Sequence, residues 1–171
     1  MNLYIELAKS AVENYIKEHK IISVPRDLSP ELAKKRAGVF VSLHEGHDLR
    51  GCIGTYLPTR ENIAEEIIYN AIAAATEDYR FSTISKKDLS KLSYEVYVLE
   101  APELVKDFHG LDAKKYGILI KTNTGKSGLL LPDLEGINTV EEQFAAVCEK
   151  CGANPREEKI EIFRFRATKY V

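Results

Sequence analysis

Two glycines bracket a cysteine in Leu49-Arg50-Gly51-Cys52-Ile53-Gly54, and an arginine stands directly before them. Glycine lets a backbone turn, or approach a neighbour, where a Cβ would block the way. A loop of this composition can aim several peptide N–H groups at one point, and Arg50 adds a planar fork of donors suited to a carboxylate or phosphate. The same local positive potential would favour the thiolate of Cys52, the form in which cysteine attacks. A plainer reading competes with both: Gly51 and Gly54 make a tight bend, and Cys52 packs as a small core residue.

His44 and His47 lie just upstream, in His44-Glu45-Gly46-His47-Asp48. Either imidazole could move a proton for Cys52. A metal site would need a third and usually a fourth ligand, and beyond these histidines, Cys52, Asp48 and the distant His109 no compact set is in view, so no metal is assigned. Exposed turn histidines are the competing reading. Asp78 and Arg80, in Asp78-Tyr79-Arg80-Phe81, offer opposite charges at a predicted helix end, either for a ligand or as a clamp on the segment. Cys148-Glu149-Lys150-Cys151 is the one CxxC, yet it sits at the C-terminal end of a predicted helix, where the helix dipole disfavours a thiolate. With no second CxxC to complete a zinc site, both cysteines are assigned to packing. The candidate catalytic residues are therefore Cys52, His44 and His47, and the candidate ligand-binding residues Arg50, Gly51, Gly54, Asp78 and Arg80. No cofactor is called for.

The elements that position these residues follow from periodicity. Leu3, Leu7, Ala8, Ala11, Val12, Tyr15 and Ile16 recur at helical spacing behind Asn2, a capping residue, which predicts a helix over 3–19. Ser29-Pro30-Glu31 places a cap and a first-turn proline before a short helix ending near Arg36. Gly38 to Leu43 has the β-branched and aromatic content of a strand, followed by a turn over His44 to Asp48 and then the Gly/Cys loop, and strand, turn and second strand form a hairpin. Glu61 to Glu77 carries a wide apolar stripe through Ile63, Ile67, Ala71 and Ala74, the mark of a core helix. Tyr94 to Leu99 alternates as a strand, and Gly117–Thr122 with Gly128–Leu131 form a hairpin about Asn123-Thr124-Gly125-Lys126-Ser127. Thr139-Val140-Glu141-Glu142 is a capping box for a last long helix that ends at Gly152. Lys159 to Phe165 alternates and then changes phase, as a bulged or doubly buried strand would.

At 171 residues the chain is long enough for one domain with its own core. Lysine and arginine number 24 against 26 acidic residues, a balance without the broad basic footprint of a nucleic-acid or membrane-surface protein. No apolar run is long enough to span a membrane, and the first residues lack the pattern of a signal peptide. Three cysteines are too few, and odd in number, for a disulfide framework, which fits a reducing cytoplasm.

From Leu49 to Gly54 the chain resembles the AMMECR domain family, also called AmmeMemoRadiSam system protein A. The resemblance extends through Gly38-Val39-Phe40-Val41, Asp78-Tyr79-Arg80-Phe81, Tyr94 to Leu99, Gly128-Leu129-Leu130-Leu131-Pro132, and Phe144 with Cys148, and covers nearly the entire chain. Two positions depart from it: Tyr79, where the family often has proline, and Asp133, where glutamine is common. The resemblance implies a single domain over 1–171, an α+β fold of two interlocked subdomains with antiparallel sheets flanked by helices, and the Leu-Arg-Gly-Cys-Ile-Gly segment near a cleft. It also implies a pathway shared with Memo-type and radical-SAM proteins, with no reaction attached.

Two functions are expected from these readings. In the first, the Gly/Cys loop binds a small anionic molecule or a peptide carboxylate, and the protein acts as a binding or adaptor protein toward a Memo-type or radical-SAM partner. In the second, Cys52 is a nucleophile, Arg50 and loop amides form its anion site, and His44 or His47 moves the proton. Nucleic-acid binding is a weaker third, which the charge balance disfavours.

Overall fold

A computed structural model describes residues 2–171. The chain divides into two compact units, one made of residues up to 99 together with 168–171 and the other of residues 100–167. Each contains one four-stranded sheet, and the fold is α+β with antiparallel strand pairing.

In the first unit, α1 (Leu3–Glu18) begins where the Asn2 side chain accepts the Tyr4 amide and ends at His19 in the left-handed region. Its buried face is Tyr4, Ile5, Leu7, Ala8, Ala11 and Val12. A short α2 (Pro30–Lys34) follows, with the Ser29 hydroxyl as cap. Strand β1 (Gly38–Glu45) then pairs with β2 (Asp48–Gly54) and, on its other side, with β3 (Leu92–Leu99). The central helix α3 (Ile63–Thr76), capped by Asn62, lays Ile63, Ile67, Ile68 and Ala71 against Val39, Val41 and Leu43 of β1 and Val96 of β3 in one apolar cluster. The connection into α3 is held by Glu66, 1% exposed, whose carboxylate accepts from Thr55 and Thr59 hydroxyls and the Thr59 and Arg60 amides.

The expected hairpin forms as β1 and β2, and the segment Leu49–Gly54, read as a Gly/Cys loop, is its second strand. Its glycines are there for close approach, a use that strand glycines often have. Neither has positive φ. A Cβ at Gly51 would collide with the Ala74 carbonyl of α3, and one at Gly54 with Phe40 and the Val39 carbonyl. The turn itself is Gly46, at φ 61°, with His47 beside it. His44 accordingly belongs to β1, with only His47 in the turn.

In the second unit, β4 (Glu103–Val105), β5 (Gly117–Thr122), β6 (Ser127–Leu130) and β7 (Ile160–Phe165) are ordered β4-β7-β5-β6. Helix α4 (Val140–Cys151) has the full capping box of Thr139 and Glu142 at one end and left-handed Gly152 at the other. Val147 and Cys148 of α4 pack on Ile118 and Ile120 of β5 and on Ile160 and Ile162 of β7. Strand β7 keeps unbroken register with both neighbours, so its change of phase is no bulge. Phe163 and Phe165 occupy the face opposite Ile160 and Ile162. After β7 the chain returns to the first sheet as β8 (Ala167–Tyr170), in the order β2-β1-β3-β8.

Candidate functional site

Strand β2 is the edge of its sheet, and its register fixes what points where. The Thr55 amide donates to the Val39 carbonyl at 3.0 Å, which makes Val41/Ile53 and Leu43/Gly51 the pairs that exchange ladder bonds. Ser42/Cys52 is then a non-hydrogen-bonded pair with close side chains, and the Ser42 hydroxyl donates to the Cys52 Sγ at 3.1 Å. The backbone of Cys52 points away from β1, toward the free edge.

Asp78 and Arg80 meet it there. The Cys52 amide donates to Asp78 Oδ2 at 2.9 Å, and Arg80 Nη2 reaches the Cys52 carbonyl at 3.4 Å. Arg80 grips the same carboxylate in a fork, Nε to Oδ1 at 2.9 Å and Nη2 to Oδ2 at 2.7 Å, while its own amide adds a bond at 3.2 Å. The Asp78 side chain is 3% exposed and that of Arg80 44%, so the pair has a buried half and an open half. The Arg80 hydrogen bonds, against the cost of burial and helped by the Cys52 amide, bring the Asp78 carboxyl down to about 2. Arg80 in turn is raised, chiefly by Asp78, with the nearby Cys52 sulfur a smaller contributor. Two residues after a helix and one in a strand thus form a single charged unit. The Tyr79 side chain between them is exposed and takes no part in the fork's hydrogen bonds.

The remaining candidates go elsewhere. Arg50 is the extra residue of a bulge, where the register passes from Leu43/Gly51 to His44/Leu49. Its Nη1 is 2.6 Å from Glu45 Oε2, and Lys91 holds the other oxygen of Glu45 at 3.3 Å. His44 Nε2 lies 3.6 Å from Glu95 Oε2, in a cluster where Tyr97 Oη donates to Glu95 at 2.9 Å and Lys169 Nζ approaches it at 2.7 Å. Burial opposes ionisation of Glu95, but the Lys169 and Tyr97 bonds outweigh it and hold the carboxyl below its ordinary range. Sequence reasoning did not find this cluster, because its members come from three strands far apart in the chain. Cys148 is buried and its thiol pushed up by burial, and its partner Cys151 is half-buried. Among the described residues, no three His, Cys, Asp or Glu side chains converge as a metal site would require. No described helix is long and apolar enough to cross a membrane.

The AMMECR1 family model covers residues 5–170, and the chain belongs to the AMMECR1 family. A protein of Thermotoga maritima is 45% identical over 168 residues, 98% of this chain and 96% of that one. Protein CA_C1420 of Clostridium acetobutylicum is 42% identical over 98% of this chain, which spans only 35% of that longer protein. The crystal structure of the uncharacterized protein PH0010 from Pyrococcus horikoshii superposes with a TM-score of 0.89 at 32% identity, covering 97% of this chain and 88% of that one.

Proposed function

We propose that this chain is a binding or adaptor protein in which the free edge of β2 receives an anionic group of a small molecule or peptide, with Arg80 as the docking cation. The observation that carries this reading is the fork: Asp78 fixes the Nε edge of the Arg80 guanidinium while the side chain stays 44% exposed. An arginine already immobilised loses little rotamer freedom when it takes a second acceptor. Gly51 and Gly54 support the site by letting α3 and β1 come close, and Arg50, tied to Glu45, steadies the bulge. The protein works in the cytoplasm, where Cys52, Cys148 and Cys151 stay as thiols. Its partner is a Memo-type or radical-SAM protein, which takes up the bound group.

The test uses N-acetylglycine, a stand-in for a peptide carboxylate, titrated into the full chain while backbone amide resonances are followed. Saturable shifts at Cys52, Gly54 and Arg80 that vanish in Arg80→Gln support the reading. Shifts that survive Arg80→Gln, or that chloride reproduces, count against it.

A second reading has its own support. The Ser42 hydroxyl donates to Sγ and the Arg80 charge lies nearby, surroundings that suit Cys52 as a nucleophile, although the structure draws His44 to Glu95 rather than to the sulfur. Alkylation of Cys52 with Cys148 and Cys151 replaced by alanine separates the two. Fast labelling with an apparent pKa well below about 8.5 moves the assignment to catalysis, and slow labelling in the folded state removes it.

A further inference from the structure

Positive charge gathers around one ring in the unit of residues 100–167. Tyr116 stands just before β5, and its carbonyl accepts from Gln143 Nε2 at 2.9 Å, a side chain 1% exposed on α4 that fixes the backbone at this point. Three cations surround the phenol: Arg164 at 4.5 Å from the ring centroid, Arg166 at 5.3 Å and Lys115 at 5.3 Å. Arg164 is partly engaged, with Nε on Glu103 at 3.2 Å and Nη1 on the Gly110 carbonyl at 2.8 Å. Arg166 offers Nη2 to the Tyr116 hydroxyl at 3.4 Å, and among the described residues neither Arg166 nor Lys115 makes an ion pair.

Cations this close repel one another, and the face of one tyrosine offsets only part of that cost. Arg164, Arg166 and Tyr116 line a cavity of about 120 Å³ together with Glu100, Ala101, Glu103 and Phe165. Space of that size takes a tetrahedral oxyanion, or on the order of four waters at roughly 30 Å³ each. With Glu103 neutralised by Arg164, the lining carboxylate outside an ion pair is Glu100, and Arg166 with Lys115 outweighs it.

We propose that this cavity binds a phosphate group, held by Arg166, the Tyr116 hydroxyl and the free Nη2 of Arg164. Donors arriving from both strands at one end of the antiparallel β5/β7 pair, where Gly117 faces Phe165, suit an acceptor with oxygens in more than one plane, and guanidinium groups are the usual partners of phosphate. The local field has the required sign. The Arg166 hydrogen bond, against a small cost of burial, and the charges of Arg164 and Lys115 hold the Tyr116 phenol below its ordinary range.

The experiment titrates the full chain with inorganic phosphate, using chloride at matched ionic strength as control, and follows the backbone amides of Lys115, Tyr116 and Arg166. Saturable shifts specific to phosphate are expected, weakened about tenfold in Arg166→Gln and strengthened in Glu100→Gln, which removes the opposing charge. Both variants alter exposed side chains, and Arg80→Gln leaves the response unchanged, which separates this site from the edge of β2. Repeating the titration with phosphoserine identifies the source: tighter binding than phosphate assigns a phosphomonoester, weaker binding the free ion, and either supports the site. No saturation below about 10 mM, an equal response to chloride, or an unaltered Arg166→Gln overturns the proposal.

Discussion

Replacing Asp78 by asparagine keeps the shape of the side chain and removes its charge. The carboxylate accepts four hydrogen bonds, from the Cys52 amide, the Arg80 amide and two Arg80 guanidinium nitrogens. Their combined preference for the ionised form appears as a fall from the ordinary 3.8 to about 2, which at about 1.36 kcal/mol per pH unit is worth about 2 kcal/mol of folding stability. The depressed folded-state pKa sets the sign: this stability is present above the unfolded value near 4 and is lost as pH falls toward 2. About half of it is gone at pH 3. Urea unfolding of Asp78→Asn and the parent chain at pH 6 and pH 3 measures the difference, expected to be about 2 kcal/mol at the higher pH and about half that at the lower. Amide hydrogen exchange adds a local readout, since the Cys52 N–H loses its carboxylate acceptor and exchanges faster. Equal stability at pH 6, a gap that does not narrow at pH 3, or unchanged exchange at Cys52 would refute the fork as the element that holds the strand edge.

Three further outcomes follow from neighbouring contacts. Gly51→Ala places a methyl against the Ala74 carbonyl, a backbone atom that cannot rotate aside; the expected loss is about 1–3 kcal/mol, read as a lower thermal midpoint. Combining it with Asp78→Asn should cost less than the two losses added, by about 1 kcal/mol, because the displaced end of α3 already loosens the fork; strict additivity in a urea double-mutant cycle would show the two to be independent. Glu66→Ala removes a buried acceptor from two hydroxyls and two amides, and a loss of about 3 kcal/mol is expected in the urea midpoint, with Glu66→Gln intermediate.

The helices were legible in the sequence because their ends are written in side chains: Asn2, Ser29, Thr139 with Glu142, and Gly152 all cap as their types require. Strand β3 and the β5/β6 hairpin were legible from alternation and a Gly-containing turn, in which Gly125 has φ 91°. Strands β4 and β8 were not, since three or four residues carry no period, and both form only by pairing with distant chain. The β1/β2 hairpin was legible as well, but the loop geometry expected at Leu49–Gly54 was not. Glycine was read as a sign of backbone freedom, whereas here it answers to the Ala74 carbonyl of a helix twenty-three residues on, a contact with no local trace.

That difference changes what the motif can do. In a loop, successive amides can converge on one anion; in a strand they alternate, and half of those in β2 are spent on β1. Of the outward-facing pair, Cys52 gives its N–H to Asp78, which leaves Gly54 as the amide nearest the open side. An anion at this edge must therefore be recognised mainly by a side chain. Arg50 has its charge engaged by Glu45 at 2.6 Å, while Arg80 is braced on one side and open on the other. The glycines act one step earlier: by admitting α3 so close to β2, Gly51 sets where the helix ends, and so where Asp78 and Arg80 emerge. The cysteine motif and the Asp-Tyr-Arg sequence after α3 are in this sense one device, and a variant at either should be judged by its effect on the other.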